Sequence, residues 1–203
     1  DILIKGGDIF DGASPEPIRG DIGIRGDKII HIGKLEGKAI KTIDASGLAV
    51  TPGFIDVHNH ADLSFQKLGF KKYLAYIMPS FKGNYNFLYQ GVTTIVAGNC
   101  GWGYTETDAW LNLVNSLKFG TNSYHLAPHG VIRQKLFGEG QPEELSQSQL
   151  KALKNKVAEA MEQGAAGLST GLVYAPGFLT RTEEIIEVAR VARKYGGIYA
   201  THI

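Results

Sequence analysis

"GFIDVHNHAD", residues 53–62, sets His58 and His60 one residue apart at the end of an apolar run, with Asp62 two places further on. On a β-strand, residues i and i+2 project from the same face, so a strand over Phe54–His60 would end in two neighbouring imidazoles. Two readings are open for such a pair: polar side chains turned to water, or nitrogen donors to a metal ion. The lone cysteine, Cys100, is a further candidate donor, set among Gly98, Asn99 and Gly101 in what reads as a tight polar turn. Its alternative role is that of a small buried hydrophobe. His202, in "YATHI", is another imidazole at the end of an apolar run. Zinc accepts imidazole nitrogen and thiolate sulfur, and a catalytic zinc keeps one position open for water.

For these donors to meet, the chain must bring distant strand ends together. Residues 1–50 read as short strands of a small β-domain, with a turn at Gly26-Asp27 between alternating isoleucines. From Thr51 the pattern changes. The apolar runs "GFIDVHNH", "GVTTIVAGNC", "NSYHLAPHG", "AAGLSTGL" and "IYATHI" alternate with three helical stretches, one with Leu111, Val114 and Leu117 on a single face and one ending at Gly164. Such alternation is α/β. Residues 51–203 are predicted to be the first five strands of a (β/α)8 barrel, whose chemistry gathers at the C-terminal strand ends. Those ends carry His58 and His60, Cys100, His125 and His129, Ser169, and His202. Five parallel strands would leave an apolar edge unpaired, so the remaining C-terminal half of the same protein is an expected partner. A complete open, doubly wound sheet is the alternative, but no G-x-G-x-x-G turn follows the first strand.

Composition excludes other classes. With 203 residues, 43% of them hydrophobic, the chain can bury a sizeable core. Twenty-one basic and 20 acidic residues leave a formal charge of +1 without runs of either sign, so neither nucleic acid nor an anionic membrane is an expected partner. No apolar stretch of about 18 residues is present and no leader is visible, although the sequence starts at Asp1 without Met. The single cysteine precludes an internal disulfide and favours a reducing compartment, so a cytoplasmic location is expected.

"GLSTG", residues 167–171, matches the G-x-S-x-G of serine hydrolases, and Glu183, Glu184 or Glu187 followed by His202 would complete the order Ser, acid, His. That motif needs a helix directly after the serine, which Gly171, Pro176 and Gly177 oppose. Ser169 is therefore assigned to the end of the fourth barrel strand. Tyr174, on the loop that follows, is a candidate to bond a substrate carbonyl or carboxylate. His129 and Arg133, in "APHGVIR", either orient substrate or pair with an acid, and His125 faces the barrel wall, where it can support a ligand.

Taken together, "TPGFIDVHNHAD", "GVTTIVAGNCG", "GAAGLSTGLVYAPG" and "YATHI" resemble the N-acyl-D-amino-acid deacylases, or D-aminoacylases, of the amidohydrolase superfamily. The likeness runs over essentially the whole chain. It implies a zinc-dependent hydrolase with a small β-sandwich beside the barrel, acting on the amide of a small N-acylated D-amino acid. It also implies that His58 and His60 face one metal position, while Cys100 and His202 hold a tightly bound zinc, with a second, weaker site alongside. A further histidine on the sixth strand and the general-base Asp on the eighth are expected outside this chain. The segment from Ala61 to Gln90 looks longer than its family counterpart, and its added aromatics are expected to reshape the substrate pocket. Hydantoinases, dihydroorotases and dipeptidases use related barrels and remain alternative activities. A non-enzymatic module with a structural zinc is a further alternative, but such sites usually close all four positions with protein ligands.

Overall fold

Ile95, Val96 and Ala97, at the end of the β-branched run 92–97, and the apolar ends of the two runs after it lie in strands buried from both faces, as parallel strands covered by helices are. In the computed structural model, which describes residues 1–67, 77–78, 82–138 and 141–203, the chain divides into two compact units, Asp1–Gly53 and Phe54–Ile203.

The first unit is a single five-stranded sheet of β1 (Ile2–Ile9), β2 (Ile18–Arg25), β3 (Lys28–Gly33), β4 (Lys41–Asp44) and β5 (Ala49–Val50). β1 and β2, and β2 and β3, pair antiparallel, whereas β4 and β5 run parallel to β1. The Gly26-Asp27 turn joins β2 to β3, with Gly26 at φ +59 as such a tight turn requires. Asp21 ties this unit together by accepting the Gly6 and Leu35 amides at 2.9 and 3.0 Å.

The second unit holds β6 (Phe54–Asp56), α1 (Ala61–Lys67), α2 (Tyr85–Leu88), β7 (Val92–Ala97), α3 (Thr107–Leu117), β8 (Asn122–Pro128), α4 (His129–Phe137), α5 (Gln147–Glu162), β9 (Gly167–Gly171), α6 (Thr182–Lys194) and β10 (Ile198–His202). The five strands lie in the order β10-β9-β8-β7-β6, every pair parallel, which is a TIM-barrel-type half-barrel. Consecutive neighbours and parallel pairing place every C-terminal strand end along one rim.

Two apolar clusters fix the helices. Leu153, Val157, Ala160 and Met161 of α5 and Val188, Val191 and Ala192 of α6 pack with Leu168 and Ala127 of the sheet. Trp110 and Leu117 of α3 join Phe65 of α1 against Ile95 and Ala97. α5 begins with a reciprocal capping box, Ser146 accepting from the Gln149 amide and the Gln149 side chain from the Ser146 amide. α4 was not apparent from the sequence: it follows β8 directly, contains Gly130, and has no clear apolar stripe.

Candidate metal centre

The strand that leads to the histidine pair is shorter than the spacing implies. β6 ends at Asp56, so His58 and His60 project from the turn beyond it and not from a pleated strand. What brings them together is side-chain bonding to the backbone. Asp56 Oδ1 accepts the His58 amide at 3.1 Å. Asn59, the middle residue of the triplet, is buried, donates through Nδ2 to the carbonyls of Asp56 and Val96, and accepts the Ala61 amide through Oδ1. The imidazoles of His58 and His60 end with ring centroids 5.8 Å apart, both exposed at the rim.

Cys100 sits in the turn that follows β7, in a left-handed conformation, φ 57 and ψ 25, that L-residues other than Gly, Asn and Asp seldom adopt. Its neighbours hold it there. Asn99 Nδ2 donates to Val57 and Val96 carbonyls at 3.3 and 2.8 Å, and Ser169 Oγ accepts the Gly101 amide at 3.1 Å while donating to the Gly98 carbonyl. Gly171 must lack a side chain, because a Cβ there would meet the Cys100 carbonyl. The same glycine lies opposite His202 in the β9–β10 register.

Cys100 Sγ lies 3.0 Å from His58 Nε2 and 3.4 Å from His202 Nδ1. Donor atoms of His58, His60 and Cys100 all fall within 4.8 Å of one another. Zinc–sulfur and zinc–nitrogen bonds of roughly 2.3 and 2.0 Å at a tetrahedral angle put two donors about 3.5 Å apart, so the separations observed are those of atoms that can share an ion. The thiol is 6% exposed, and burial pushes its pKa up in the absence of a cation. A metal reverses that by binding the thiolate. The donor set of soft sulfur with imidazoles fits zinc.

Tyr174 reaches the same place, its hydroxyl 3.4 Å from His202 Nδ1 and its ring edge-on to the imidazole. A cleft of about 490 Å³ opens beside His60, lined in part by Ala61, Ser64, Phe65, Asn84 and Phe87, a size suited to a small organic ligand. Much of the aromatic insertion expected to reshape such a pocket, residues 68–76 and 79–81, lies outside the described residues.

His129 and Arg133, left open between orienting substrate and pairing with an acid, pair with an acid. Both are fully buried on α4, and both bond Glu184 Oε1, at 2.8 and 3.0 Å. Arg133 also donates to Gln141 and to the Pro142 carbonyl, so its guanidinium is committed to the protein. His129 Nε2 and Arg133 Nε thus tie α4 to Glu184 of α6, while His129 Nδ1 and Glu184 Oε2 are buried without a hydrogen-bond partner among the described residues.

The serine-hydrolase arrangement is not formed. Ser169 is buried within β9 and spends its hydroxyl on the Cys100 turn, Glu184 pairs with His129 and Arg133, and His202 faces Cys100 and Tyr174. Of the residues that position the donors, sequence reasoning passed over Asn59, and it read Asn99 only as part of a polar turn and Ser169 only as a strand end. Asn beside a histidine pair or a glycine carries a signal for local backbone bonding, whereas a serine inside a strand carries none.

No protein-family model matches the chain. Over its whole length it is 33% identical to the D-aminoacylase of Alcaligenes xylosoxydans xylosoxydans, of which it spans 44%, and 33% identical to the N-acyl-D-glutamate deacylase of the same organism, of which it spans 43%. It superposes on the zinc- and phosphonate-bound N-acyl-D-glutamate deacylase of Bordetella bronchiseptica with a TM-score of 0.83 at 31% identity, covering 45% of that chain. Against a D-aminoacylase crystal structure the TM-score is 0.76, again at 31% identity and 45% coverage. The chain thus spans less than half the length of each of these relatives. In sequence over its whole length, and in the half-barrel that superposes on them, the chain is similar to N-acyl-D-amino-acid deacylases of the amidohydrolase type.

Proposed function

We propose that this chain carries donors of the metal centre of a hydrolase that cleaves the amide of an N-acyl-D-amino acid, giving a carboxylate and a free D-amino acid. The observation that carries the reading is the convergence of Cys100 Sγ with His58 Nε2 and His202 Nδ1 at 3.0 and 3.4 Å, with His60 in the same cluster. In this reading Cys100 and His202 would hold the tight zinc, and His58 and His60 would face a second, weaker position. Bound zinc would supply a water of lowered pKa and a Lewis acid for the scissile carbonyl. The chain's own residues do the rest of the positioning. Asn59, Asn99 and Ser169 fix the donors, and Tyr174 OH, beside His202, is placed to bond the substrate's carbonyl or carboxylate. Among the described residues, no Asp, Glu, Lys or Arg lines the cleft beside His60, which supports a neutral acyl group or side chain there.

The relatives' additional length supports the companion part of the proposal. The outer strands expose Phe54 and Ile55 on β6 and Ile198 and Tyr199 on β10, apolar groups that further barrel strands would cover. The general-base Asp and a further histidine ligand would come from there, and strands returned to Asp1–Gly53 would complete a sandwich. A free thiol as donor suits a reducing compartment such as the cytoplasm.

The test is a panel of N-acyl-D-amino acids, N-acyl-L-amino acids, cyclic amides and dipeptides assayed side by side on full-length protein, with and without chelator. Chelator-sensitive turnover of N-acyl-D-amino acids is expected. Turnover confined to cyclic amides or dipeptides would assign a different amidohydrolase activity, and indifference to chelator would remove the metal from the reading.

A further inference from the structure

Two buried polar side chains stand behind the donors and have no part in the arrangement described above. Asp62, in the first turn of α1 and two residues past His60, is 0% exposed, and neither carboxylate oxygen has a hydrogen-bond partner among the described residues. His125, on β8, is equally buried; its Nδ1 lies 3.2 Å from Thr107 Oγ1, and its Nε2 stands 3.7 Å from Asp62 Oδ2. A buried carboxylate short of donors costs several kcal/mol. Nothing in the two apolar clusters requires it.

What the pair touches is the turn that carries Cys100. A methyl group added to Gly103 would land on Asp62 Oδ2 and stand 3.3 Å from His125 Nε2, and one added to Gly98 would stand 2.9 Å from the same nitrogen. Both glycines have positive φ, +143 and +77, and Cys100 between them is left-handed at φ 57. Glycine adopts such angles freely, but for Cys100 the left-handed conformation costs of order 1–3 kcal/mol and persists only where the surroundings over-determine it. We propose that Asp62 and His125 are a positioning pair for Cys100, packed against Gly98 and Gly103 so that the strained turn presents its thiol to His58 and His202. Because Asp62 follows His60 in the same segment, the pair also ties the histidine triplet to the cysteine turn. The proposal rests on the reading of Cys100 as a metal ligand.

The experiment loads full-length protein with Co(II), whose thiolate charge-transfer absorption reports the Cys100 bond, and measures affinity by competition with a chromophoric chelator. Absorption absent from the wild type, or unchanged in Cys100→Ser, overturns the ligand reading itself. With that established, Asp62→Asn is expected to weaken Co(II) binding at least tenfold and to lower the absorption per bound ion, while circular dichroism stays that of the wild type. A folded Asp62→Asn protein with wild-type affinity and absorption overturns the proposal. Should Asp62→Asn fail to fold, Gly103→Ala, which keeps both side chains and displaces the carboxylate, is measured in its place, with the same loss expected and the same wild-type result overturning the proposal. Failure of both to fold makes the pair a general brace, which also overturns it.

Discussion

Cys100 Sγ and His202 Nδ1 lie 3.4 Å apart although 102 residues separate them in the chain. The parallel sheet in sequential order, with its strand ends on one rim, closes this long loop at a point. Replacing the thiol with a hydroxyl keeps the volume and removes the soft donor, so Cys100→Ser is expected to cut zinc occupancy of the full-length protein at least tenfold with an unchanged circular dichroism spectrum. Elemental analysis after dialysis measures it. Wild-type occupancy in the variant would make Cys100 a buried spectator.

Ser169 distinguishes two chemistries in one substitution. Its hydroxyl bridges the Gly101 amide and the Gly98 carbonyl around the cysteine, and Ser169→Ala would leave both buried groups short of a partner, at a cost of about 1–3 kcal/mol. Lower thermal stability and weaker zinc binding are expected, together with no labelling of the wild type by a serine-directed phosphonylating reagent. Mass-spectrometric detection of the reagent on Ser169 would restore the nucleophile.

The strands, the three long helices and the rim donors were legible in the sequence because each rests on a local pattern: β-branched runs, a 3.6-residue apolar period, and donors at run ends. Besides α4, two features were not. The pairing of His58 and His60 reads as a strand effect but is made by Asp56 and Asn59, side chains whose bonds to backbone depend on where β7 passes, since Asn59 also reaches the Val96 carbonyl. The destination of Arg133 was equally hidden: Glu184 is 51 residues away, and only the fold, which brings α6 within side-chain reach of α4, shows that the two meet. Long-range polar pairing has no period, so sequence left His129 and Arg133 open between substrate and protein.

Tyr174 tests the substrate side of the rim. Its hydroxyl is 3.4 Å from His202 Nδ1, and its backbone amide is held by the Gly171 carbonyl, so Tyr174→Phe removes one oxygen without releasing the loop. A phenol that binds substrate more than it orients His202 predicts a KM raised by roughly three- to tenfold, with zinc content unchanged and kcat altered less. Steady-state kinetics with zinc analysis on the same preparation decides it. A fall in zinc content at constant KM would assign the hydroxyl to the imidazole instead.

Glu184 should matter to stability and not to chemistry. One of its oxygens accepts from His129 Nε2 and from Arg133 Nε, all three side chains are buried, and Arg133 spans from there to Gln141 and Pro142. Removing one member of a buried ion pair leaves the other charge uncompensated, which typically costs about 3–5 kcal/mol, whereas the intact pair adds little over an apolar core. Glu184→Ala is therefore expected to lower the unfolding free energy by roughly that amount, and Glu184→Gln by less, because an amide oxygen still accepts from Arg133. Thermal and denaturant unfolding of full-length protein measure both. At a temperature where each variant remains folded, zinc affinity and KM should match the wild type. A rise in KM at unchanged stability would return His129 and Arg133 to the substrate.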